Sequence, residues 1–288
     1  MQSFEFVVPS SLNEVCTLLA AEGDACKVVA GGTDIVPALR ENKLVGVTKL
    51  IDIRRRPELR GIKRTHHGLW IGAATTHSEI VNSPQVQSQW SLLAEACRQV
   101  GSKQIRNLAT LGGNVANASP AADSIPALLC LDAKVSLLST RGKRQVALQD
   151  YLQEKKLASK GWELIEGFVL PEPLPNILTK FIKVARRQAM AISRLSLAVV
   201  IQLQGDQIHY ARLVPGAMLS VTHRLESVEK YLMGEKLSPE LSASAAKLAC
   251  ESVIAETGMR PSFAYKLPVL EGLIKKVLDQ FQEEVTHG

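Results

Sequence analysis

The chain has 288 residues, 46% of them hydrophobic and 22% charged, which is enough apolar material for two globular domains and too much for a disordered tract. Five isolated cysteines without C-x-x-C spacing exclude a zinc or iron–sulfur site built by this chain alone, and the six histidines are just as scattered. The net charge is +6, but only 5% of residues are aromatic and the cations sit in short clusters such as Arg54-Arg55-Arg56, which suits a bound pyrophosphate or an acidic partner better than nucleic acid.

Met1 to Ser11 lacks the basic-then-apolar pattern of a leader. The longest apolar run, Leu195 to Leu203, is far short of the ~20 residues of a membrane span. The expected location is therefore the cytoplasm, with no membrane contact, and with the thiols reduced and buried. In chain order, Phe4 to Val8 reads as a strand stopped by Pro9, and Ser11 with Glu14 as a capping box that opens a helix. Lys27 to Ala30 reads as a buried strand ending at Gly31-Gly32, followed by a helix from Thr33 to Arg40 with Asp34 as its cap. Further strands are expected at Leu50 to Ile53 and Leu69 to Ile71, a second capping box at Thr76 to Glu79, and a helix at Leu92 to Val100.

The stretch from Gly101 to Asp123 shows neither helical nor strand periodicity, and a long irregular stretch inside a domain usually carries function. A helix (Ser124 to Leu131), a hairpin turning at Thr140 to Lys143 and a strand (Leu164 to Leu170) follow. Prolines at 171, 173 and 175 mark an extended linker. Beyond it, three strands (Lys180 to Ala185, Leu197 to Gln204, Gln207 to Val214) precede three helices (Leu225 to Leu232, Ser238 to Glu256, Tyr265 to Phe281). The reading is an α+β protein with domains at 1–171 and 177–288, the first divided into subdomains at about residue 56.

Two motifs carry chemistry. In Val28-Val29-Ala30-Gly31-Gly32-Thr33-Asp34 a strand feeds a glycine pair and a helix start, where main-chain N–H groups converge and a phosphate can approach; the bland alternative is an ordinary turn. Gln104 to Asn114 repeats the logic, with Gly112-Gly113 flanked by Thr110 and Asn114 and followed by Asp123, a candidate acceptor for a ribityl or ribose hydroxyl; here the alternative is a loop that satisfies its own backbone. Neither motif is G-x-G-x-x-G, and the lysine of a nucleoside-triphosphate loop is missing.

These residues resemble a known family. Ala30-Gly31-Gly32-Thr33-Asp34 and Arg106-Asn107-x-x-Thr110-x-Gly112-Gly113-Asn114 are similar to the two FAD-binding loops of molybdenum hydroxylase flavoproteins. Ile51-Asp52-Ile53, Ile71-Gly72-Ala73-x-Thr75-Thr76, Ala118-Ser119-Pro120-x-x-Asp123 and Phe181-x-Lys183-x-x-Arg186-Arg187 extend the likeness in order along nearly the whole chain. The resemblance implies a two-subdomain FAD-binding domain of the vanillyl-alcohol-oxidase (PCMH) type and a C-terminal domain with a small antiparallel sheet and helices. It implies that Lys27, Val28, Val29, Ala30, Gly31, Gly32, Thr33 and Asp34 cradle the pyrophosphate of FAD. By the same resemblance Ala109, Thr110, Gly112, Gly113 and Asn114 form the second loop, Asp123 lies near the polar part of the cofactor, and Ile165 lines the pocket. Lys183 would reach the flavin, its alternative being an exposed strand lysine.

The chain departs from the family in carrying Tyr265-Lys266 where many relatives have Tyr-Arg, and Val100 near the place where some have an aromatic residue. The implied assembly is a heterotrimer with a molybdopterin-containing large subunit and a small iron–sulfur subunit. In it, FAD would pass electrons to NAD or another acceptor, with no catalytic side chain and no metal in this chain. The alternative is a free-standing FAD-dependent oxidoreductase acting directly on a small molecule.

Overall fold

The computed structural model describes residues 4–157, 162–187 and 191–287. The chain crosses five times between two units, one made of Met1–Pro84, Val100–Ser119 and Asp132–Glu172, the other of Gln85–Gln99, Pro120–Leu131 and Pro173–Gly288.

In the first unit, strands β1 (Glu5–Val7), β2 (Cys26–Val29) and β3 (Lys49–Asp52) form a parallel sheet in the order β1-β3-β2. Parallel pairing needs crossovers, and the helices Leu12–Glu22 and Ile35–Arg40 supply them. Ser11 caps the first helix by accepting from Glu14 N–H, but the Glu14 carboxylate turns back to the N–H and hydroxyl of Ser10, one residue earlier than a capping box requires. Val15, Cys16 and Leu19 on that helix pack with Cys26, Ile51, Ile53, Leu59 and Leu164. At the end of β3 the buried Asp52 carboxylate is held by the forked guanidinium of Arg54 at 2.7–3.2 Å, which keeps it below the usual carboxylate range.

A second sheet of the same unit runs β4-β5-β8-β6-β7, all antiparallel, from β4 (Ile62–Thr65), β5 (Gly68–Gly72), β6 (Lys134–Ser139), β7 (Gly142–Ala147) and β8 (Leu164–Leu170). The capping box at Thr76 is complete, with Thr76 accepting from Glu79 N–H and the Glu79 carboxylate accepting from Thr76 N–H. Directly after the cap, at the start of the helix His77–Asn82, lies His77, fully buried. Burial, with Arg106 adding to it, lowers the imidazole from 6.5 to about 4.

The unfolded chain therefore binds a proton between pH 6.5 and 4 that the folded chain refuses, so this contribution to stability is complete above pH 6.5 and fades as pH falls through the window. We expect the stability difference between wild type and His77→Leu, followed by urea unfolding, to change by no more than about 3 kcal/mol across that range. A difference independent of pH would mean that His77 does not titrate as described.

The second unit centres on an antiparallel meander of β9 (Ile177–Ala185), β10 (Ser193–Gln204) and β11 (Gln207–Gly216). β10 is the middle strand and is buried over most of its length, consistent with its continuous apolar sequence. Two helices contributed from earlier in the chain pack on this sheet: Ser91–Arg98 against β9 and the fully buried Ser124–Cys130 against β10 and β11. Cys130 Sγ reaches Ala198 O at 3.3 Å, and all five cysteines are buried thiols outside any disulfide. Helices Pro239–Thr257, with Ser238 as its cap, and Phe263–His287 complete the layer, with Val253, Phe263, Leu270 and Phe281 in one apolar cluster with Leu197 and Val199.

Candidate cofactor site

The two glycine motifs meet in the first unit. A Cβ on Gly31 would lie 2.0 Å from the carbonyl oxygen of Leu108, so the turn after β2 and the segment before Thr110 are in main-chain contact only because residue 31 has no side chain. Gly112 is equally constrained, its virtual Cβ falling 2.7 Å from Ala73 O. Gly32 instead needs its conformation, with φ +72°. A Cβ on Gly113 would meet no main chain, only Thr110 Oγ1 at a tight 3.0 Å.

The main-chain donors of the two motifs are used differently. In the second, Leu111 N–H donates to Thr75 O, Gly112 to Ala73 O, Gly113 to Thr110 Oγ1 and Asn114 to Thr110 O. In the first, the N–H groups of Gly31, Gly32, Thr33 and Asp34 make no hydrogen bond among the described residues, and the Asp34 side chain does not cap the helix it precedes. The first motif thus leaves four consecutive amides unengaged, whereas from Ala109 to Asn114 only that of Thr110 is, among the described residues. That is the donor set of an anion cradle on one wall and a shaped surface on the other.

Both face a cavity of about 740 Å³, a size suited to a small-molecule cofactor. Of the residues expected at the site, Lys27, Val28, Ala30, Gly31, Gly32, Thr33, Asp34, Ala109, Thr110, Gly112, Gly113, Asn114 and Ile165 line it. Val29 does not; it packs with Val47 and Leu50. Val100 also lines the cavity, its carbonyl accepting from Arg106 Nη1 at 3.0 Å. A bulge lies next to Ile165: Ser136 pairs with Gly167 and Leu137 with Ile165, leaving Glu166 extra, and both Leu164 and Ile165 line the cavity.

Asp123 and Lys183 belong to the second unit. There Lys183 Nζ donates to Asp123 Oδ2 at 2.6 Å and to Gln99 O at 2.8 Å, and both side chains are less than a tenth exposed. Burial pushes the Asp123 carboxyl upward, against the pull of the Lys183 ammonium. Lys183 is therefore not an exposed strand lysine. In the same unit Tyr265 stacks under Arg194 at 4.7 Å and Lys266 donates to Ala217 O at 2.6 Å.

Sequence reasoning missed the helix Leu148–Leu157, which brings Tyr151, Glu154 and Lys155 to the cavity together with Arg144 of β7 and Glu163. Arg144 is closed by two carboxylates, bidentate to Glu163 at 2.7–2.8 Å and to Glu154 at 2.9 Å. The Tyr151 phenol is pushed up by burial to about 12 and is a neutral group at ordinary pH.

Residues 2–173 match the family described as "FAD binding domain in molybdopterin dehydrogenase", and residues 180–281 match "CO dehydrogenase flavoprotein C-terminal domain". The chain belongs to the molybdopterin dehydrogenase flavoproteins. Its cofactor is FAD. This flavoprotein is 31% identical to the nicotinate dehydrogenase FAD-subunit of Eubacterium barkeri, over 98% of each chain. Among solved structures it is similar to carbon monoxide dehydrogenase from Hydrogenophaga pseudoflava (TM-score 0.87, 27% identity, 96% of each chain covered). It is also similar to quinoline 2-oxidoreductase from Pseudomonas putida 86 (TM-score 0.85, 26% identity, 98% of each chain). Among the described residues of this flavoprotein no helix is long and apolar enough to cross a membrane, and no group of three His, Cys, Asp or Glu side chains is placed to hold a metal ion.

Proposed function

We propose that the protein is the FAD-carrying electron-transfer subunit of a molybdenum hydroxylase, working with a molybdopterin-containing large subunit and a small iron–sulfur subunit, and that it delivers electrons to NAD or another acceptor. The observation that supports this most directly is the cavity between the two glycine motifs, with four unengaged amides on one wall. When bound, FAD supplies the change from two-electron to one-electron chemistry, which no side chain of this protein can.

The residues themselves bind and orient. The amides of Gly31 to Asp34 take the charged middle of the cofactor, while Ala109 to Asn114 fix the cavity's shape through bonds to Ala73 and Thr75. Ile165 and Leu164 give an apolar wall that keeps water from the ring system. No proton transfer is assigned to any of these groups. Two relatives support the partners: one is named the FAD-subunit of a nicotinate dehydrogenase, and another similar structure is a copper- and molybdenum-containing CO dehydrogenase.

The test is the absorbance of the purified chain after incubation with FAD and desalting. We expect retained flavin bands at roughly 370 and 450 nm. We further expect those bands to bleach on mixing with a reduced iron–sulfur partner and to return on adding the acceptor. A protein that stays colourless after exposure to FAD, alone and with its partners, would sink the reading. Bleaching by a small organic substrate with no partner present would favour a free-standing oxidoreductase instead.

A further inference from the structure

One corner of the second unit, where the start of β10 meets the first turn of the helix Phe263–His287, gathers three cations. Arg194, from β10, lays its guanidinium over the Tyr265 ring at 4.7 Å, and the Arg260 guanidinium lies 5.7 Å from the ring of Phe263. Lys266, next to Tyr265 in the same turn, is tied to Ala217 O at 2.6 Å. All three cations are half-buried, and none has a carboxylate partner among the described residues. The first turn of the helix carries no acidic residue. Glu256, which precedes Arg260 in the chain, is paired with His223 at 3.0 Å, and Glu271 lies about 140° around the helix from Lys266. The crowding has a cost: burial lowers the Lys266 ammonium, and Arg194 and Arg260 lower it further.

Next to these cations in the chain stand large apolar side chains in water: Ile192 is 82% exposed, Met259 71% and Tyr265 44%. Arginine, tyrosine and methionine are the residues enriched where proteins bind one another. A small anion would neutralise the charge but leave the apolar side chains uncovered. A second copy of the chain would bring the same cations face to face across a two-fold contact. We infer that this corner is a docking surface for an acidic segment of a partner subunit, whose carboxylates pair with Arg194, Arg260 and Lys266 while its apolar side chains cover Ile192, Met259 and Tyr265. This rests on reading the chain as one component of a hydroxylase complex, and adds where and by what chemistry a partner is held. The ring of Tyr265 already orients Arg194, so less side-chain freedom is lost on docking.

The experiment is assembly of the full-length, FAD-loaded chain with its purified molybdopterin-containing and iron–sulfur subunits, followed by sedimentation at low and high salt. Wild type is compared with the double variants Arg194→Glu, Arg260→Glu and Arg194→Lys, Arg260→Lys. We expect the charge reversal to weaken assembly at least about tenfold at low salt, with the gap narrowing as salt screens the charge. The lysine variant keeps the charge and should recover most of the affinity. Retained flavin absorbance and an unchanged unfolding midpoint would confirm that the reversed chain is folded. If it is not, Met259→Glu serves instead: that side chain is largely in water, so the fold does not depend on it, and a carboxylate there should repel the acidic segment and weaken assembly in the same direction.

The inference is overturned if the folded variants assemble within twofold of wild type. It is also overturned if they change only self-association of the free chain, or only its binding to inorganic diphosphate or to phosphatidylglycerol vesicles, which would give the corner to another occupant. A wild-type chain that binds neither partner subunit is a different failure, that of the functional reading itself, and the inference falls with it.

Discussion

Replacing Gly31 by alanine is expected to abolish FAD binding and to lower unfolding stability by roughly 3 kcal/mol, the upper end for forcing atoms into a packed site. The added methyl would sit 2.0 Å from Leu108 O and 2.6 Å from Leu108 C, both main-chain atoms that no rotamer change can move. The segment around Leu108 is itself fixed, because Ala109 O accepts from His77 N–H and Leu111 N–H donates to Thr75 O. The strain must then open the junction between the two motifs, which is the floor of the cavity. Gly113→Ala is the control, since its Cβ meets only the Thr110 hydroxyl at 3.0 Å. It should keep FAD with a small loss of affinity. Urea unfolding and flavin absorbance on both variants decide the matter; equal behaviour would show that the Gly31–Leu108 contact is not what shapes the site.

The second large effect is expected from Lys183→Met, at about 3–5 kcal/mol of stability, because it strands the Asp123 carboxylate in a buried position. Gln99 O loses its donor in the same substitution. The double variant Lys183→Met, Asp123→Leu removes the orphan charge and should recover most of the loss, since a buried pair replaced by apolar groups of similar volume is often near neutral. If the single variant unfolds within about 1 kcal/mol of wild type, the pair is not an internal tie of this unit.

Much of this arrangement could be read in advance, and the exceptions have physical causes. The glycine pairs were visible, but not how differently the fold uses them. Gly31 and Gly112 make room for main chain, and four consecutive amide donors are open in the first motif against that of Thr110 alone from Ala109 to Asn114, a distinction that depends on Leu108 and Ala73, far away in sequence. The stretch from Gly101 to Asp123 was expected to be irregular, yet it holds the helices Lys103–Arg106 and Leu111–Asn117. The second contains Gly112 and Gly113, poor helix formers, and is held by the Thr110 cap and by bonds to Ala73 and Thr75.

The helix Leu148–Leu157 has only Leu148 and Leu152 clearly buried among its described side chains, too thin a stripe to show as periodicity, so Tyr151 and Lys155 were not suspected. β4, Ile-Lys-Arg-Thr at a sheet edge, lacks the apolar signature of a strand for the same reason. Asp34 was expected to cap its helix, but its side chain stays with the cavity.

The five crossings between units have a consequence for how the molecule comes into being. During synthesis, residues 85–99 and 120–131 leave the ribosome well before β9 to β11, the strands on which they pack. Leu92, Leu93, Leu128 and Leu129, all fully or almost fully buried in the finished protein, lack the native cover of that sheet during that interval, although their two helices can pack on each other. Long-range pairing of this kind slows folding and leaves sticky intermediates. The tie between Lys183, Asp123 and Gln99 joins the two early segments to β9 and can close only after the proline linker has been made. A cut at that linker, which looks like the natural seam, would leave the C-terminal piece without two helices of its core and the N-terminal piece with two helices stripped of the sheet they pack on.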